Sequence, residues 1–183
     1  MSEDKNKVKR IEKREEYWNE NYANYWINRV DEANNEDISS SKIIKDDTKT
    51  SKNAIYSDAI SLLDISKTDK VIEIGVGFGR SLPELCQAAL HVTALDISAP
   101  MIAIAKDRTK EKNVSFYVSP SEKMPFDSNV FDVAVCFASF DAMYQTEALI
   151  EINRICKKGA RVLITGKNDN YCDNDKLAME AEI

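Results

Sequence analysis

With 183 residues, 43% of them hydrophobic, the chain is long enough for one globular domain with a core and too short for two full domains. Its formal net charge of -6 argues against a nucleic-acid partner, because nucleic acids are bound by surfaces rich in Lys and Arg. The charged N-terminus is not a signal peptide and no apolar run is long enough to cross a bilayer, so we predict a cytoplasmic protein without a membrane span.

Residues 1–51 are predicted to form an N-terminal helical arm followed by a loop. Apolar side chains recur at steps of mainly three and four over residues 1–37, which is the pattern of a helix with one apolar face. Residues 38–51 are polar and aperiodic, as is typical of a loop. The arm is also rich in aromatic side chains, contributed by Tyr17, Trp18, Tyr22, Tyr25 and Trp26.

Residues 52–183 alternate between apolar strands and amphipathic helices. The predicted strands are residues 70–74, 91–95, 114–118, 130–137 and 160–165, and the predicted helices are residues 54–63, 81–90, 100–108, 146–156 and 176–182. Gly159 is predicted to be the C-cap glycine of the helix at 146–156. The alternation predicts an α/β fold with a Rossmann-like, doubly wound, mostly parallel sheet and helices on both faces. Ligands bind such sheets at the carboxyl ends of the strands.

A glycine-rich turn follows the first predicted strand. Glu73, Gly75, Gly77 and Gly79 stand in the spacing Glu-x-Gly-x-Gly-x-Gly. Glycines at alternate positions let the backbone turn sharply and approach a ligand without Cβ clashes. The dinucleotide fingerprint places its third glycine one residue later, and the Glu73 carboxylate would repel a pyrophosphate. The turn therefore favours a nucleoside that carries an α-amino group over NAD; a tight turn without any ligand is the alternative.

Asp96 ends the second predicted strand and is the candidate for binding a ribose. Its carboxylate can accept hydrogen bonds from both ribose hydroxyls. Asp96 could instead cap the next helix, but Ser98 stands in the better position for that role. Ile97 belongs to the same predicted site, and Met101 either lies against a purine or packs in the core.

Two further segments complete the pattern. Residues 120–126 are Pro-Ser-Glu-Lys-Met-Pro-Phe, and residues 151–161 are Glu-Ile-Asn-Arg-Ile-Cys-Lys-Lys-Gly-Ala-Arg. Together with the glycine turn and Asp96, in this order, they resemble the class I S-adenosylmethionine-dependent methyltransferases of the small-molecule and lipid branch, with a methyltransferase-11-like domain. The resemblance covers residues 52–167. In that family the glycine turn holds the methionine end of the cofactor, the acidic residue holds the ribose, and the segment matched by residues 120–126 places the adenine.

The resemblance implies an enzyme that transfers a methyl group from S-adenosyl-L-methionine to a small-molecule acceptor and releases S-adenosyl-L-homocysteine. The predicted cofactor-binding residues are Glu73, Gly75, Gly77, Gly79, Asp96, Ile97, Met101, Ser121, Glu122 and Phe137. After the fourth strand, Asp141 and Tyr144 are the candidates for orienting or deprotonating the acceptor; a capping Asp and a packing Tyr are the alternatives. No metal ligands are predicted, because the chain has one histidine and no Cys-x-x-Cys spacing.

Two features of the sequence differ from the family, and the N-terminal arm lies outside the matched motifs. Pro120 replaces the Asp that contacts the adenine amino group, so Ser119 or Ser121 substitutes for it or adenine binds more weakly. The residues after the fifth strand are too few for the family's last helix and strand pair, so we expect a truncated domain with an exposed strand edge. The arm either covers the cofactor cleft as a lid or packs elsewhere; the arm and the exposed edge are the two candidate homodimer surfaces.

Two other functions stay open at this point. One is a methyltransferase-like module that binds the cofactor without turnover, which Pro120 and the short C-terminus would explain. The other is an NAD-dependent oxidoreductase, which the glycine spacing and Glu73 disfavour.

Overall fold

The computed structural model describes residues 2–22 and 54–166. The helices are α1 (Ser2–Glu16), which continues as a π-helix (Tyr17–Tyr22), then α2 (Ala54–Ser61), α3 (Leu82–Ala88), α4 (Ala99–Arg108) and α5 (Gln145–Ile155). A short 3-10 helix covers Phe140–Ala142. The strands are β1 (Lys70–Ile74), β2 (His91–Asp96), β3 (Val114–Val118), β4 (Phe131–Cys136) and β5 (Cys156–Ile164). The predicted helix at 176–182 and the aromatic residues Tyr25 and Trp26 lie outside the described residues.

The five strands form one sheet in the order β3-β2-β1-β4-β5, and every neighbouring pair is parallel. The chain builds β2 and β3 on one side of β1 and then returns to build β4 and β5 on the other side. This confirms the predicted Rossmann-like, doubly wound sheet. The reversal places a switch point at the carboxyl ends of β1 and β4, where ligands of such sheets bind.

Helices cover both faces of the sheet because alternate residues of each strand point to opposite sides. On one face, Val71 of β1 packs in a cluster with Leu82 and Leu85 of α3. On the other face, Ile72 packs in a cluster with Ile155 of α5. All five of these side chains are fully buried, and each contributes about 1.5–3 kcal/mol to folding by leaving water.

The predicted junction between the last helix and the last strand was wrong. Helix α5 ends at Ile155, and β5 begins at once with Cys156, whose backbone is already extended because it pairs with Phe131 of β4. Gly159 is therefore not a C-cap. It lies inside β5 with a φ of +81°, in the stretch where the register between β4 and β5 shifts. A left-handed residue at such an irregularity favours glycine.

Among residues 2–22 and 54–166, no helix combines the length and the apolar character that crossing a membrane requires.

Candidate functional site

The glycine turn between β1 and α3 is shaped by packing as well as by backbone conformation. Gly75 and Gly77 have φ values of +74° and +54°, which favour glycine. A Cβ on Gly75 would lie 2.5 Å from the Cβ of Ser139, so that position cannot hold a larger residue without a shift. A Cβ on Gly77 would meet only the Cε of Met101, at 3.7 Å. The backbone at Gly77 is therefore the open part of the turn, where a ligand can approach closely.

Glu73 is a buried carboxylate with one unsatisfied oxygen. The hydroxyl of Ser81 donates a hydrogen bond to Oε1, while Oε2 has no hydrogen-bond partner among the described residues. Burial raises the pKa of Glu73 to about 8, against the attraction of the Ser81 hydroxyl, and the nearby carboxylates of Asp96 and Glu84 add to the rise. A cationic group beside Oε2 would supply the missing donor and favour the ionised form.

Asp96 connects the glycine turn to the start of α4. Its Oδ2 accepts from the backbone N–H of Gly77 at 2.8 Å, and its Oδ1 accepts from the N–H of Ser98 at 2.9 Å. Burial raises the pKa of Asp96, although these backbone hydrogen bonds oppose the rise. The hydroxyl of Ser98 accepts from the N–H of Met101, so the prediction that Ser98 caps this helix is confirmed. Ile97, between them, is half-buried.

Met101 lies at the open part of the turn. Its side chain is 3% exposed and packs with Phe78 and Ile104 in a small cluster separate from the two main core clusters. Met101 therefore packs beside the glycine turn, as its alternative role requires, and its contact with a purine stays a prediction.

Glu122, after β3, is bound by other parts of the chain. Arg14 of α1 donates from Nη1 to Oε1 and from Nη2 to Oε2, each at 2.8 Å. The backbone N–H of Tyr144 donates to Oε1 at 2.7 Å, and the Ser121 hydroxyl donates to Oε2 at 3.1 Å. Burial alone would raise the pKa of Glu122, but the bonds and charge of Arg14 outweigh it and hold the pKa below its ordinary value.

The two serines that were expected to replace the family's adenine-binding Asp both donate to protein acceptors. The Ser121 hydroxyl donates to Glu122, and the Ser119 hydroxyl donates to the carbonyl of Lys123 at 2.9 Å. Each hydroxyl oxygen still has lone pairs with which it could accept a hydrogen bond.

The loop after β4 crosses the end of the glycine turn. Ala138 has a φ of +50°, and the Ser139 hydroxyl lies within hydrogen-bond distance of the carbonyl of Gly75, at 3.2 Å. The predicted site residues of this loop, Phe137, Asp141 and Tyr144, have different neighbours. Phe137 packs edge-to-face on Tyr56 of α2, with ring centroids 5.1 Å apart. The Asp141 carboxylate lies beside Gly166, and a Cβ on that glycine would be 3.1 Å from its Oδ1.

Tyr144 lies at the opposite end of this loop from Phe137. The guanidinium carbon of Arg14 is 5.8 Å from the centroid of its ring. Asp141 and Tyr144 are therefore held in different surroundings, one beside the end of β5 and one under α1. Within residues 2–22 and 54–166, no cluster of His, Cys, Asp and Glu side chains could hold a metal ion.

Arg14 is the residue that sequence reasoning missed. It is 7% exposed, and besides binding Glu122 its Nη1 donates to the carbonyl of Ala142 at 2.9 Å. One helical turn later, the carbonyl of Trp18 accepts from the Ser98 hydroxyl at 3.2 Å. A signal for Arg14 was present, because it is in step with Ile11 and Trp18 and so places a charge on the apolar face of the helix.

Comparisons with known proteins agree with this geometry. A family model described as Methyltransferase domain matches residues 72–164, which is half of the chain. The ubiquinone/menaquinone biosynthesis C-methyltransferase UbiE of Pseudomonas paraeruginosa is 31% identical over 113 residues, or 57% of this chain and 44% of that protein. The chain thus spans less than half of the length of this relative.

Two solved structures show the same fold. A SAM-dependent methyltransferase from Aquifex aeolicus aligns with a TM-score of 0.54 and 23% identity, over 67% of this chain and 68% of its own. The geranyl diphosphate C-methyltransferase of Streptomyces coelicolor, solved in complex with S-adenosyl-L-homocysteine, aligns with a TM-score of 0.57 and 18% identity, over 61% of this chain and 42% of its own.

Proposed function

Because the chain belongs to the methyltransferase-domain family, we propose that it binds S-adenosyl-L-methionine and transfers the methyl group to a small-molecule acceptor. This proposal rests mainly on Glu73, a buried carboxyl group in β1 just before the glycine turn, whose Oε2 has no hydrogen-bond partner among the described residues. An ionised carboxylate with a buried oxygen that lacks a donor is costly, which is why burial raises the pKa of Glu73 in the free protein; a ligand that supplies a donor would favour the ionised form. The α-ammonium group of an amino-acid-tailed nucleoside supplies both a donor and a compensating charge.

The other residues of the site fit the remaining parts of that cofactor. The open backbone at Gly77 leaves room for close approach of the methionine portion. Asp96, directly bonded to Gly77, offers carboxylate lone pairs to the ribose hydroxyls. We propose that the adenine lies beside Met101, whose Cε approaches Gly77, and next to residues 120–126.

The role of the protein in the reaction is mainly alignment. The sulfonium of the cofactor carries a methyl group that is already activated, so holding an acceptor in line accounts for most of the acceleration. The loop after β4 faces this position, because it crosses the glycine turn at Ser139. Asp141 and Tyr144 are the groups of this loop that can orient an acceptor or take a proton from it.

A second candidate is a module that binds the cofactor without turnover. Pro120 offers no side-chain acceptor for the adenine amino group, and the hydroxyl protons of Ser119 and Ser121 are already donated within the protein. An NAD-dependent oxidoreductase is disfavoured by the spacing of the turn, because Gly79 comes one residue earlier than the third glycine of the dinucleotide fingerprint.

Calorimetric titration with S-adenosyl-L-homocysteine tests the proposal. We expect micromolar binding that Glu73→Gln and Asp96→Asn both weaken. Asp107→Asn is the matched control, because it makes the same chemical change on the exposed side of α4. Tighter binding of NADH, or binding that is insensitive to both site variants, would contradict the proposed cofactor. Binding without methyl transfer to any tested acceptor would favour the inactive module.

A further inference from the structure

Arg14 and Glu122 form a buried ion pair that joins the N-terminal helix to the segment after β3. The guanidinium and the carboxylate meet through two parallel hydrogen bonds, and their side chains are 8% and 4% exposed. An exposed ion pair is worth little, whereas removing one partner of a buried pair leaves an uncompensated charge and is strongly unfavourable. The residues are 108 positions apart, so the pair links the N-terminal helix to the segment after β3.

Glu122 gathers three separate segments at one carboxylate. It accepts from Arg14 of the helix, from Ser121 after β3 and from the backbone of Tyr144, which precedes α5. Arg14 also donates to the carbonyl of Ala142 in the loop after β4. Loss of Arg14 would therefore remove one of the contacts that dock the helix, together with the hydrogen bond to Ala142 and the contact with the Tyr144 ring in the loop that faces the acceptor.

A second anchor lies on the other side of β1. The Ser98 hydroxyl, after β2, donates to the carbonyl of Trp18, and the backbone of Ser98 is itself bonded to Asp96. Because β1 lies between β2 and β4 in the sheet, anchors after β2 and after β4 bracket its carboxyl end. The N-terminal helix is thus held at the carboxyl ends of the strands on both sides of β1, and its anchor at Ser98 lies next to Asp96, which is proposed to hold the ribose.

We infer that Arg14 is a positioning residue: through Glu122 it holds the N-terminal helix across the cofactor site and fixes the loop after β4, so that helix docking slows release of the cofactor. This inference rests on the proposed function, because it concerns the same site. It distinguishes the lid from a helix that merely stabilises the domain, since only a lid changes the lifetime of the bound ligand.

Trp18, which lies in the π-helical continuation of α1, provides a reporter of the helix, and Trp26 is the other tryptophan of the sequence. In a Trp26→Phe background, the fluorescence of Trp18 follows docking of the N-terminal helix alone. Arg14→Gln removes the ion pair, and Lys13→Gln is the matched control, because it removes a charge from an exposed position on the same helix. Glu122→Gln provides a second way to break the pair if Arg14→Gln does not fold.

The decisive quantity is the dissociation rate of S-adenosyl-L-homocysteine, measured by surface plasmon resonance on the immobilised full chain. We expect Arg14→Gln to shift Trp18 emission to longer wavelength and to raise the dissociation rate by about tenfold or more, with Lys13→Gln unchanged. A thermal unfolding curve for each variant shows whether the domain itself is intact.

The outcomes separate this inference from the proposed function. Equal dissociation rates in Arg14→Gln and Lys13→Gln, with the ligand bound by the unaltered protein, overturn the role of Arg14 and leave the proposed function standing. A red shift of Trp18 with an unchanged dissociation rate also overturns it, because the helix is then only structural. Absence of binding by the unaltered protein overturns both.

Discussion

Ionisation of Glu73 should make cofactor affinity depend on pH. Burial holds the pKa of Glu73 at about 8 in the free protein. The ionised fraction is therefore about one hundredth at pH 6 and about one tenth at pH 7. An ammonium group beside Oε2 stabilises only the ionised carboxylate, so binding in this range releases close to one proton. The association constant for S-adenosyl-L-homocysteine should then rise about tenfold from pH 6 to pH 7.

Calorimetry at several pH values between 6 and 7, in two buffers that differ in ionisation enthalpy, measures both the affinity and the number of protons released. Glu73→Gln keeps the shape of the side chain and removes its titration, so most of the pH dependence should disappear. Any slope that remains belongs to Asp96, the other carboxyl group of the site whose pKa burial raises. Asp107→Asn should keep the full slope.

Ionisation of Glu73, which should raise cofactor affinity as the pH rises, should lower the stability of the free protein over the same pH range. The pKa of Glu73 in the folded state lies above the ordinary value of 4.5, so between these two values the folded state binds more protons than the unfolded state. The free energy of unfolding therefore falls as the pH rises through this window, by about 1.4 kcal/mol per pH unit in its middle. Urea unfolding should show that Glu73→Gln gains stability relative to the unaltered protein between pH 5 and pH 7.5.

A flat affinity profile between pH 6 and pH 7, with a binding enthalpy that is independent of the buffer, would refute this reasoning. It would mean that Glu73 is already ionised in the free protein, or that no cationic group binds beside it. A stability difference between Glu73→Gln and the unaltered protein that does not change with pH would contradict the raised pKa directly.

Three further predictions follow from the packing of the turn and of the sheet. Gly75→Ala should lower the free energy of unfolding by about 1–3 kcal/mol because its Cβ would overlap Ser139, and Ser139→Gly should recover part of the loss in thermal unfolding. The Cβ of Gly77→Ala would meet only Met101, at an ordinary distance, so backbone strain should lower the free energy of unfolding by about 1 kcal/mol. The same variant should lose more than this in the free energy of S-adenosyl-L-homocysteine binding, and unchanged binding would mean that no ligand approaches there. Lys157→Ala breaks an exposed ion pair with Asp132 and should change stability by less than about 1 kcal/mol in urea unfolding; a larger loss would show that this pair is part of a stronger network.

Several parts of the fold and of the site could be predicted from local sequence alone. The alternation of apolar strands and amphipathic helices predicted the doubly wound sheet, because a strand that is buried on both faces is apolar at nearly every position. The spacing of Gly75 and Gly77 predicted a sharp turn, which the structure makes with both glycines at positive φ, and the position of Ser98 before α4 predicted its cap. Each of these depends on neighbours within a few residues, which the sequence displays directly.

Other features were decided by which distant segments the topology brings together. Gly159 looked like a helix cap, but the pairing of Cys156 with Phe131 ended the helix earlier and placed the glycine inside a strand. The partner of Glu122 is Arg14, 108 residues away, and the pair meets only because the N-terminal helix lies across the carboxyl edge of the sheet.

The raised pKa of Glu73 likewise has no local cause. It follows from complete burial and from the approach of Asp96, which ends the neighbouring strand. Local sequence therefore determined which chemical groups stand at the ends of the strands and where the chain turns. Only the tertiary structure decided which of those groups are buried, paired or left with an open oxygen, because burial and electrostatic interaction depend on distance in space rather than along the chain.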